Sequence, residues 1–272
     1  MILVTGASGL IGGALAQRLK AEGFAVWAPP RASGSNGGLD LQDVSSAVFP
    51  EGLGTAFLCG WSGGVGEAAQ DPEGKRLVNV GGNQKIIERL RQTGTNVIFL
   101  STSLVFSGSD TRAYAPLSPC CVYGGHKAAV EAGLDARRDV VVRITKLGET
   151  LRPRLSRWAA TLRSGGQVAA AGHLRVAPVM LEEVVEGLVG LARDFQPGIY
   201  QMSAREDHRY RDLAEALADQ AGGTVVNDPG AGAGVFHPSP VSGRLQIEAP
   251  GHSERWPSGV DHTQRLVQSA LS

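Results

Sequence analysis

The chain has 272 residues and carries 26 lysines and arginines against 26 aspartates and glutamates, so its formal net charge is zero. This balance argues against nucleic acid or an anionic membrane as the main partner, since both select a basic surface. The hydrophobic content of 42% excludes a disordered chain, and the 37 glycines, which follow no G-X-Y period, exclude a collagen.

The first half of the chain alternates short apolar runs with helical patterns. Strands are predicted over 2–5, 24–28, 55–59, 96–101 and 139–144, and helices over 10–21, 77–90 and 123–134. Because the apolar runs are continuous and rich in β-branched residues, they are typical of strands buried on both faces of a parallel sheet. We predict an α/β fold with a Rossmann-type doubly wound parallel sheet.

The second half is less regular and predicts a smaller C-terminal substrate lobe. Helices are expected over 153–163, 181–192 and 210–221 and from His262, and strands over 175–179 and 199–202. Loops are expected over 33–39 and 227–243. We divide the chain into a sheet domain over 1–146 and a lobe over 147–272, from which about 177–200 returns to the first domain.

Cysteine and histidine usage bears on the compartment and on metal chemistry. Three cysteines, two of them adjacent, make no disulfide framework and indicate a reducing, cytoplasmic compartment. The first residues enter a strand without a basic signal region, and no apolar run approaches the roughly 18 residues of a membrane span. Six histidines without a metal-ligand spacing predict no metal, and His126 is expected to be exposed.

A glycine-rich turn joins the first predicted strand to the first predicted helix. In a dinucleotide site the first glycine allows the sharp turn, the second lets the backbone approach the pyrophosphate, and the third lets helix and strand pack closely. The helix N-terminus adds amides and the positive end of a dipole. We therefore predict that this turn binds a dinucleotide cofactor. Its residues are Gly6, Ala7, Ser8, Gly9, Leu10, Ile11 and Gly12.

The end of the second predicted strand distinguishes NADP from NAD. An NAD site usually has an acid there for the ribose 2′-hydroxyl, but Pro30 holds that position and Arg31 follows it. An arginine pairs with a 2′-phosphate through two hydrogen bonds, and Ser8 offers a further donor. We predict that the first domain binds NADP(H), with NAD(H) as the alternative.

Tyr123 and Lys127 are four residues apart at the start of a predicted helix and therefore share one face. A tyrosine with a pKa near 10 is a poor acid or base at pH 7. A cation about 4 Å away, at an effective dielectric of about 20, supplies roughly 4 kcal/mol, which lowers that pKa by about 3. We predict that Tyr123 transfers a proton and that Lys127 lowers its pKa.

A hydroxyl is expected at the carboxyl end of the preceding strand, where α/β sheets bind ligands, and residues 101–103 (STS) lie there. The segment STSLVFSG, the following PLSPCCVYGGHKAAVE and the G-x-x-G-x-x-G turn resemble the extended short-chain dehydrogenase/reductases, or NAD(P)-dependent epimerase/dehydratase superfamily. The likeness is nearest to the sugar-nucleotide reductases related to dTDP-4-dehydrorhamnose reductase. It places the catalytic hydroxyl on Thr102. Ser103, a predicted substrate contact, and Leu104 replace the family's aspartate and tyrosine, so the sugar contacts are expected to differ.

The resemblance implies further site residues. Asp40 and Leu41 match a pair beside the adenine, and Gly60 and Asn79 match residues near the cofactor. Arg175 matches an arginine that binds the substrate pyrophosphate. Asn79 is alternatively an ordinary helix residue, and Arg175 alternatively a surface arginine.

These residues imply hydride transfer between a nicotinamide and a carbonyl carbon. We expect an NADP-dependent oxidoreductase that reduces a nucleotide-linked keto sugar with a Thr102, Tyr123 and Lys127 triad. Two alternatives stay open: a nucleotide-sugar epimerase with a tightly bound cofactor, and a non-catalytic NADP-binding regulatory protein. The expected partners are a small-molecule substrate and, as is common in the family, a second copy in a homodimer.

Overall fold

The computed structural model describes residues 1–31, 37–108, 110–204, 207–228 and 262–272. Most residues of the loops predicted over 33–39 and 227–243 lie outside the described ranges. No helix among the described residues is long and apolar enough to cross a membrane.

A six-stranded parallel sheet is the main element of the fold. The described strands are β1 (Ile2–Thr5), β2 (Val26–Trp27), β3 (Thr55–Leu58), β4 (Asn96–Thr102), β5 (Val140–Ile144), β6 (Gln167–Ala170), β7 (Arg175–Val176), β8 (Gly198–Met202), β9 (His208–Arg209) and β10 (Thr224–Asn227). The large sheet has the order β2-β1-β3-β4-β5-β8. The remaining strands form two pairs, β6 with β10 and β7 with β9.

The strand order reverses at β1. This strand pairs in parallel with β2 on one side and with β3 on the other, so that Ile2 lies opposite both Val26 and Thr55. Doubly wound sheets bind ligands at the carboxyl ends of the strands that flank such a reversal. The predicted Rossmann-type sheet is confirmed, and its ligand crevice is expected just after Thr5 and Leu58.

The helices largely follow the predicted pattern. The sequence predicts a helix that begins at Pro153. In the structure Pro153 lies inside α6, which begins at Gly148. Proline removes one backbone hydrogen bond there, and the buried side chains of Leu151 and Leu155 favour the longer helix. The described α-helices are α1 (Leu10–Ala21), α2 (Val65–Gln70), α3 (Pro72–Arg76), α4 (Gly82–Gln92), α5 (Val122–Glu131), α6 (Gly148–Arg163), α7 (Leu181–Arg193), α8 (Tyr210–Ala221) and α9 (His262–Leu271).

Residue contacts divide the chain into two compact units. The first contains 1–102, 121–143 and 184–200, and the second contains 103–120, 144–183 and 201–272. The domain limits expected from the sequence, 1–146 and 147–272, stay a prediction.

The first unit has an apolar core between the sheet and α4. Leu58 and Phe99 from the sheet and Ile86 and Leu90 from α4 are buried in it. Burying a side chain of this size contributes roughly 1.5–3 kcal/mol. The core therefore fixes the strand ends at which the sequence predicts site residues.

A buried ion pair in the same unit joins α5 to β5. The Arg143 side chain is 2% exposed, and its Nη2 donates to Glu131 Oε2 at 2.7 Å. The hydroxyl of Ser101, near the end of β4, donates to Glu131 Oε1. Desolvating an ion costs several kcal/mol, so a buried carboxylate needs partners of this kind. The cluster fixes α5 against two strands.

The second unit has its own core, in which α6, α8 and α9 pack together. Leu155, Leu213 and Leu266 contribute one buried side chain from each helix. His262, the first residue of α9, lies 2.9 Å from Glu183 Oε1. The helix predicted from His262 is confirmed, and this polar contact anchors its first turn.

We expect Arg143→Leu to lower the free energy of unfolding by about 3–5 kcal/mol, because Glu131 is left buried without its counter-charge. The double variant Arg143→Leu/Glu131→Leu removes both charges and should regain most of that loss. Urea unfolding followed by circular dichroism measures both. As a control, Arg137→Leu removes a guanidinium that is 90% exposed and should not move the midpoint. Wild-type stability in Arg143→Leu would contradict the stabilising role of the pair.

Candidate active site

The turn after β1 and the end of β3 approach each other through their backbones. Gly6 has a φ of +66°, in the left-handed region that favours glycine. A Cβ on Gly6 would lie 2.7 Å from the Cα of Gly60, which is too close for any side chain. The amide of Gly60 donates to the Thr5 hydroxyl at 2.9 Å. The structure thus brings the two predicted glycines together at the strand reversal.

The N-terminus of α1 follows this turn directly. The amide of Gly9 donates to the Gly6 carbonyl at 2.9 Å. A Cβ on Gly12 would collide with that same carbonyl, so the helix can pack on the turn only with glycine there. Among the described residues, no side chain caps α1 and no acid lies in its first turn, which contains Leu10 and Ile11. Its amides and dipole therefore favour an anion.

A cavity of about 120 Å³ is lined by the glycine turn and by the ends of β2 and β3. The Arg31 side chain is 63% exposed, and its Nε lies 3.9 Å from Asp40 Oδ2. Backbone amides, a hydroxyl and a guanidinium around a glycine cradle fit the phosphates of a dinucleotide. The predicted cofactor residues that line the cavity are Gly6, Ser8, Arg31, Asp40, Leu41 and Gly60.

Asn79 anchors the loop after Gly60. Its Oδ1 accepts the amide of Ser62 at 2.7 Å, and its Nδ2 donates to the Ser62 carbonyl at 3.0 Å. Asn83, one turn later, donates to the Asn79 carbonyl at 2.8 Å. The structure therefore gives the Asn79 amide a supporting place behind the cavity loop, while its predicted cofactor contact stays a prediction.

Tyr123 lies in the first turn of α5, and Lys127 lies one turn further. Cys121 caps this helix, because its Sγ accepts the amide of Gly124 at 3.4 Å. Trp61, from the loop after Gly60, contacts both predicted residues. Its ring centroid lies 5.8 Å from that of Tyr123, and Lys127 Nζ lies 3.8 Å from the indole centroid.

Lys127 is enclosed on several sides and is only 4% exposed. Its Nζ donates to the Leu100 carbonyl at 2.6 Å and also lies 4.8 Å from the Phe99 ring centroid. Burial lowers the pKa of Lys127 to about 7, although Cys59 and Glu131 oppose that shift. The ammonium is thus held against β4, two residues before Thr102.

The structure corrects the expected effect of Lys127 on Tyr123. Burial, with a smaller contribution from Cys121, raises the pKa of Tyr123 to about 12. The physical reason is that the phenol is enclosed, while the lysine donates to a backbone carbonyl and stacks on an indole ring. In this arrangement Tyr123 holds its proton firmly at neutral pH.

The remaining predicted residues lie at defined places in the two units. Thr102 is the last residue of β4 and is 8% exposed. Ser103 begins a 3-10 turn, and its carbonyl accepts the amide of Phe106 at 3.1 Å. Arg175 lies on β7 opposite Arg209. Thr102 belongs to the first unit, and Ser103 and Arg175 belong to the second.

Trp61 is the functional candidate that the sequence did not indicate. Its signal was a single aromatic residue in a glycine-rich loop, which is weak by itself. Within the described residues, its buried Nε1–H has no hydrogen-bond partner. A second correction concerns His126: it is 7% exposed, and burial, with a smaller contribution from Arg76, lowers its pKa.

Comparisons with known proteins identify the family and the fold. A model of the family described as RmlD substrate binding domain matches residues 1–241. A dTDP-4-dehydrorhamnose reductase of Streptomyces griseus is 37% identical over 135 residues, which span 47% of this chain and 43% of that protein. The match therefore covers less than half the length of that relative.

Solved structures share the fold over nearly the whole chain. A dTDP-4-dehydrorhamnose reductase from Yersinia enterocolitica has a TM-score of 0.79 at 14% identity, covering 99% of this chain and 98% of that one. The enzyme of the same name from Bacillus anthracis, in complex with NADP, has a TM-score of 0.74 at 16% identity, covering 98% and 96%. At such identities the likeness shows the fold.

The depressed pKa of Lys127 predicts a pH-dependent stability. The unfolded lysine takes up its proton near pH 10.5 and the folded one near pH 7, so unfolding binds a proton between these values. Stability contributed by this residue is therefore lowest below pH 7 and rises towards pH 10. We expect wild type to gain stability relative to Lys127→Met between pH 7 and pH 9.5.

Urea midpoints of both proteins at the two pH values measure this difference. The same substitution at exposed Lys20 controls for the loss of a lysine elsewhere. A constant difference between wild type and Lys127→Met at the two pH values would show that burial does not act on the lysine as described.

Proposed function

This chain belongs to the RmlD substrate binding domain family, and on that premise we propose that it is an NADP(H)-dependent reductase of a nucleotide-linked keto sugar. One observation carries the proposal. Trp61 lines the cavity formed by the glycine turn, and its indole also contacts the ring of Tyr123 and the ammonium of Lys127. A cofactor cradle and a proton-transferring pair therefore share one wall.

The glycine cradle is the binding site we propose for the cofactor diphosphate. Gly6 and Gly60 leave room for the backbone to approach it, and the uncapped N-terminus of α1 supplies amides. Arg31 is exposed beside the same cavity and carries the charge that a 2′-phosphate selects. Asp40, 3.9 Å away, keeps the guanidinium near the cavity rim.

We propose Tyr123 as the residue that transfers the proton. When bound, NADPH supplies the hydride that adds to the carbonyl carbon of the sugar. Because burial keeps Tyr123 protonated, it can donate its proton to the carbonyl oxygen, which becomes the hydroxyl of the product. Thr102 donates a hydrogen bond to that oxygen, and the cationic form of Lys127 favours the phenolate that remains.

The substrate class rests on the relatives. The Streptomyces griseus protein and the two compared structures are named dTDP-4-dehydrorhamnose reductases. We therefore propose a keto sugar carried on a nucleoside diphosphate, with Ser103 as a sugar contact and Arg175 as the ligand of the substrate diphosphate. The departures at Ser103 and Leu104 make a sugar other than that of the relatives a reasonable first candidate.

Tyr123→Phe should lower kcat for NADPH-dependent reduction by about 10²–10⁴-fold, because the general acid is lost while the ring stays. NADPH oxidation is followed at 340 nm with a panel of nucleotide-linked keto sugars. The matched control is Tyr114→Phe, which alters a tyrosine that is 61% exposed and should keep wild-type rates. If Tyr123→Phe turned over as fast as wild type, the catalytic role of Tyr123 would be refuted.

Arg31→Ala should weaken NADPH binding about tenfold and leave NADH binding unchanged, because only NADPH carries the 2′-phosphate. Dissociation constants for both cofactors are measured by isothermal titration calorimetry. Arg112→Ala removes a guanidinium that is also more than half exposed and serves as the control for net charge. Equal weakening of NADPH and NADH in Arg31→Ala would argue against its selectivity role.

A further inference from the structure

The side chain of Trp61 lies against Lys127 with its ring face. The distance from Nζ to the indole centroid is 3.8 Å, and the ammonium is almost fully enclosed. A cation over an aromatic face is attracted by the ring quadrupole, and the attraction is largest for tryptophan and for desolvated sites. The contact between Trp61 and Lys127 meets both conditions, so it stabilises the charged form of this buried lysine.

The titratable groups around Lys127 do not replace that attraction. Glu131, one turn further along α5, is engaged with Arg143 and Ser101, so its charge is shared. Cys59, at the end of β3, stays a thiol because burial raises its pKa to about 12. Tyr123 is neutral at physiological pH for the same reason. The described groups that favour the ammonium at short range are the Leu100 carbonyl, the indole face at 3.8 Å and, further away at 4.8 Å, the ring of Phe99.

We propose that Trp61 is a positioning residue for Lys127: its indole face holds the lysine as a cation on the side of α5 that carries Tyr123. The consequence of this contact for catalysis rests on the proposed function. The contact between Trp61 and Lys127 itself needs no substrate. Because Trp61 follows Gly60 and lines the cofactor cavity, it connects the state of that cavity to the lysine.

The wild-type protein allows a direct test by NMR. The chain has five lysines, so a sample labelled with ¹³C and ¹⁵N in lysine gives five side-chain signals, and Lys127→Met assigns one of them. A lysine stacked on an indole is shielded by its ring current. We expect the ε-methylene protons of Lys127 to lie upfield of those of the other four lysines. An unshifted Lys127 signal would overturn the proposal without any variant of Trp61.

Two variants of Trp61 test the effect on charge. Trp61→Phe keeps an aromatic face, and Trp61→Leu has a similar volume without one, so water gains similar access in both. We expect Lys127 to hold its proton about tenfold less tightly in Trp61→Leu than in Trp61→Phe, measured by titrating its ¹³Cε signal. Equal midpoints in the two variants would overturn the proposal.

Kinetics separate this proposal from the proposed function. In Trp61→Leu we expect kcat for keto-sugar reduction to fall about tenfold below that of Trp61→Phe, with the two KM values for the sugar alike. Equal kcat values would overturn the catalytic part of the proposal. If no keto sugar were reduced by the wild type, the proposed function would fail, while the NMR results would still decide whether Trp61 holds Lys127.

Discussion

The close approach of two backbone segments at the strand reversal is the constraint on which the rest of the site depends. Gly6 and Gly60 meet where β1 and β3 end, and a Cβ on Gly6 would lie only 2.7 Å from the Cα of Gly60. This contact fixes the start of α1 on one side and the loop that carries Trp61 on the other. Since Trp61 touches Tyr123 and Lys127, one glycine contact sets both halves of the site.

Two buried charged side chains lie on one helix. On α5, Lys127 and Glu131 are both nearly inaccessible, yet they are satisfied differently. Glu131 has a guanidinium and a hydroxyl, whereas Lys127 has a carbonyl and two aromatic faces. A lysine paired with a carboxylate would keep a high pKa. The partners of Lys127 compensate less for its burial, so its pKa is lowered to about 7. Such incomplete compensation is common where a group has a functional task.

The sequence predicted those features whose chemistry requires a fixed spacing. One glycine-rich turn contains Gly6, Gly9 and Gly12, and one helical turn separates Tyr123 from Lys127. Spacing along the chain is therefore enough to predict these residues. The partners of Lys127 could not be predicted in this way, because Trp61 and Leu100 reach it only through the fold. For the same reason the pairing of β6 with β10 was missed, since it joins residues that are distant in sequence.

The expected effect of the lysine on Tyr123 shows where pairwise reasoning stops. A cation about 4 Å away would lower the pKa of a tyrosine by about 3, whereas burial of the phenol raises the pKa of Tyr123 to about 12. Tyr123 therefore carries a proton at neutral pH, but a raised pKa also makes the phenol a weaker acid, so proton donation depends on a cation that stabilises the phenolate.

Transfer of deuterium from NADPH that carries deuterium at both C4 positions tests the central claim most directly. With a nucleotide-linked keto sugar as substrate, mass spectrometry should find one deuterium on the carbon that becomes the alcohol for each NADP⁺ formed. An unlabelled product, or an epimerised sugar formed without release of NADP⁺, would contradict the assignment as a reductase.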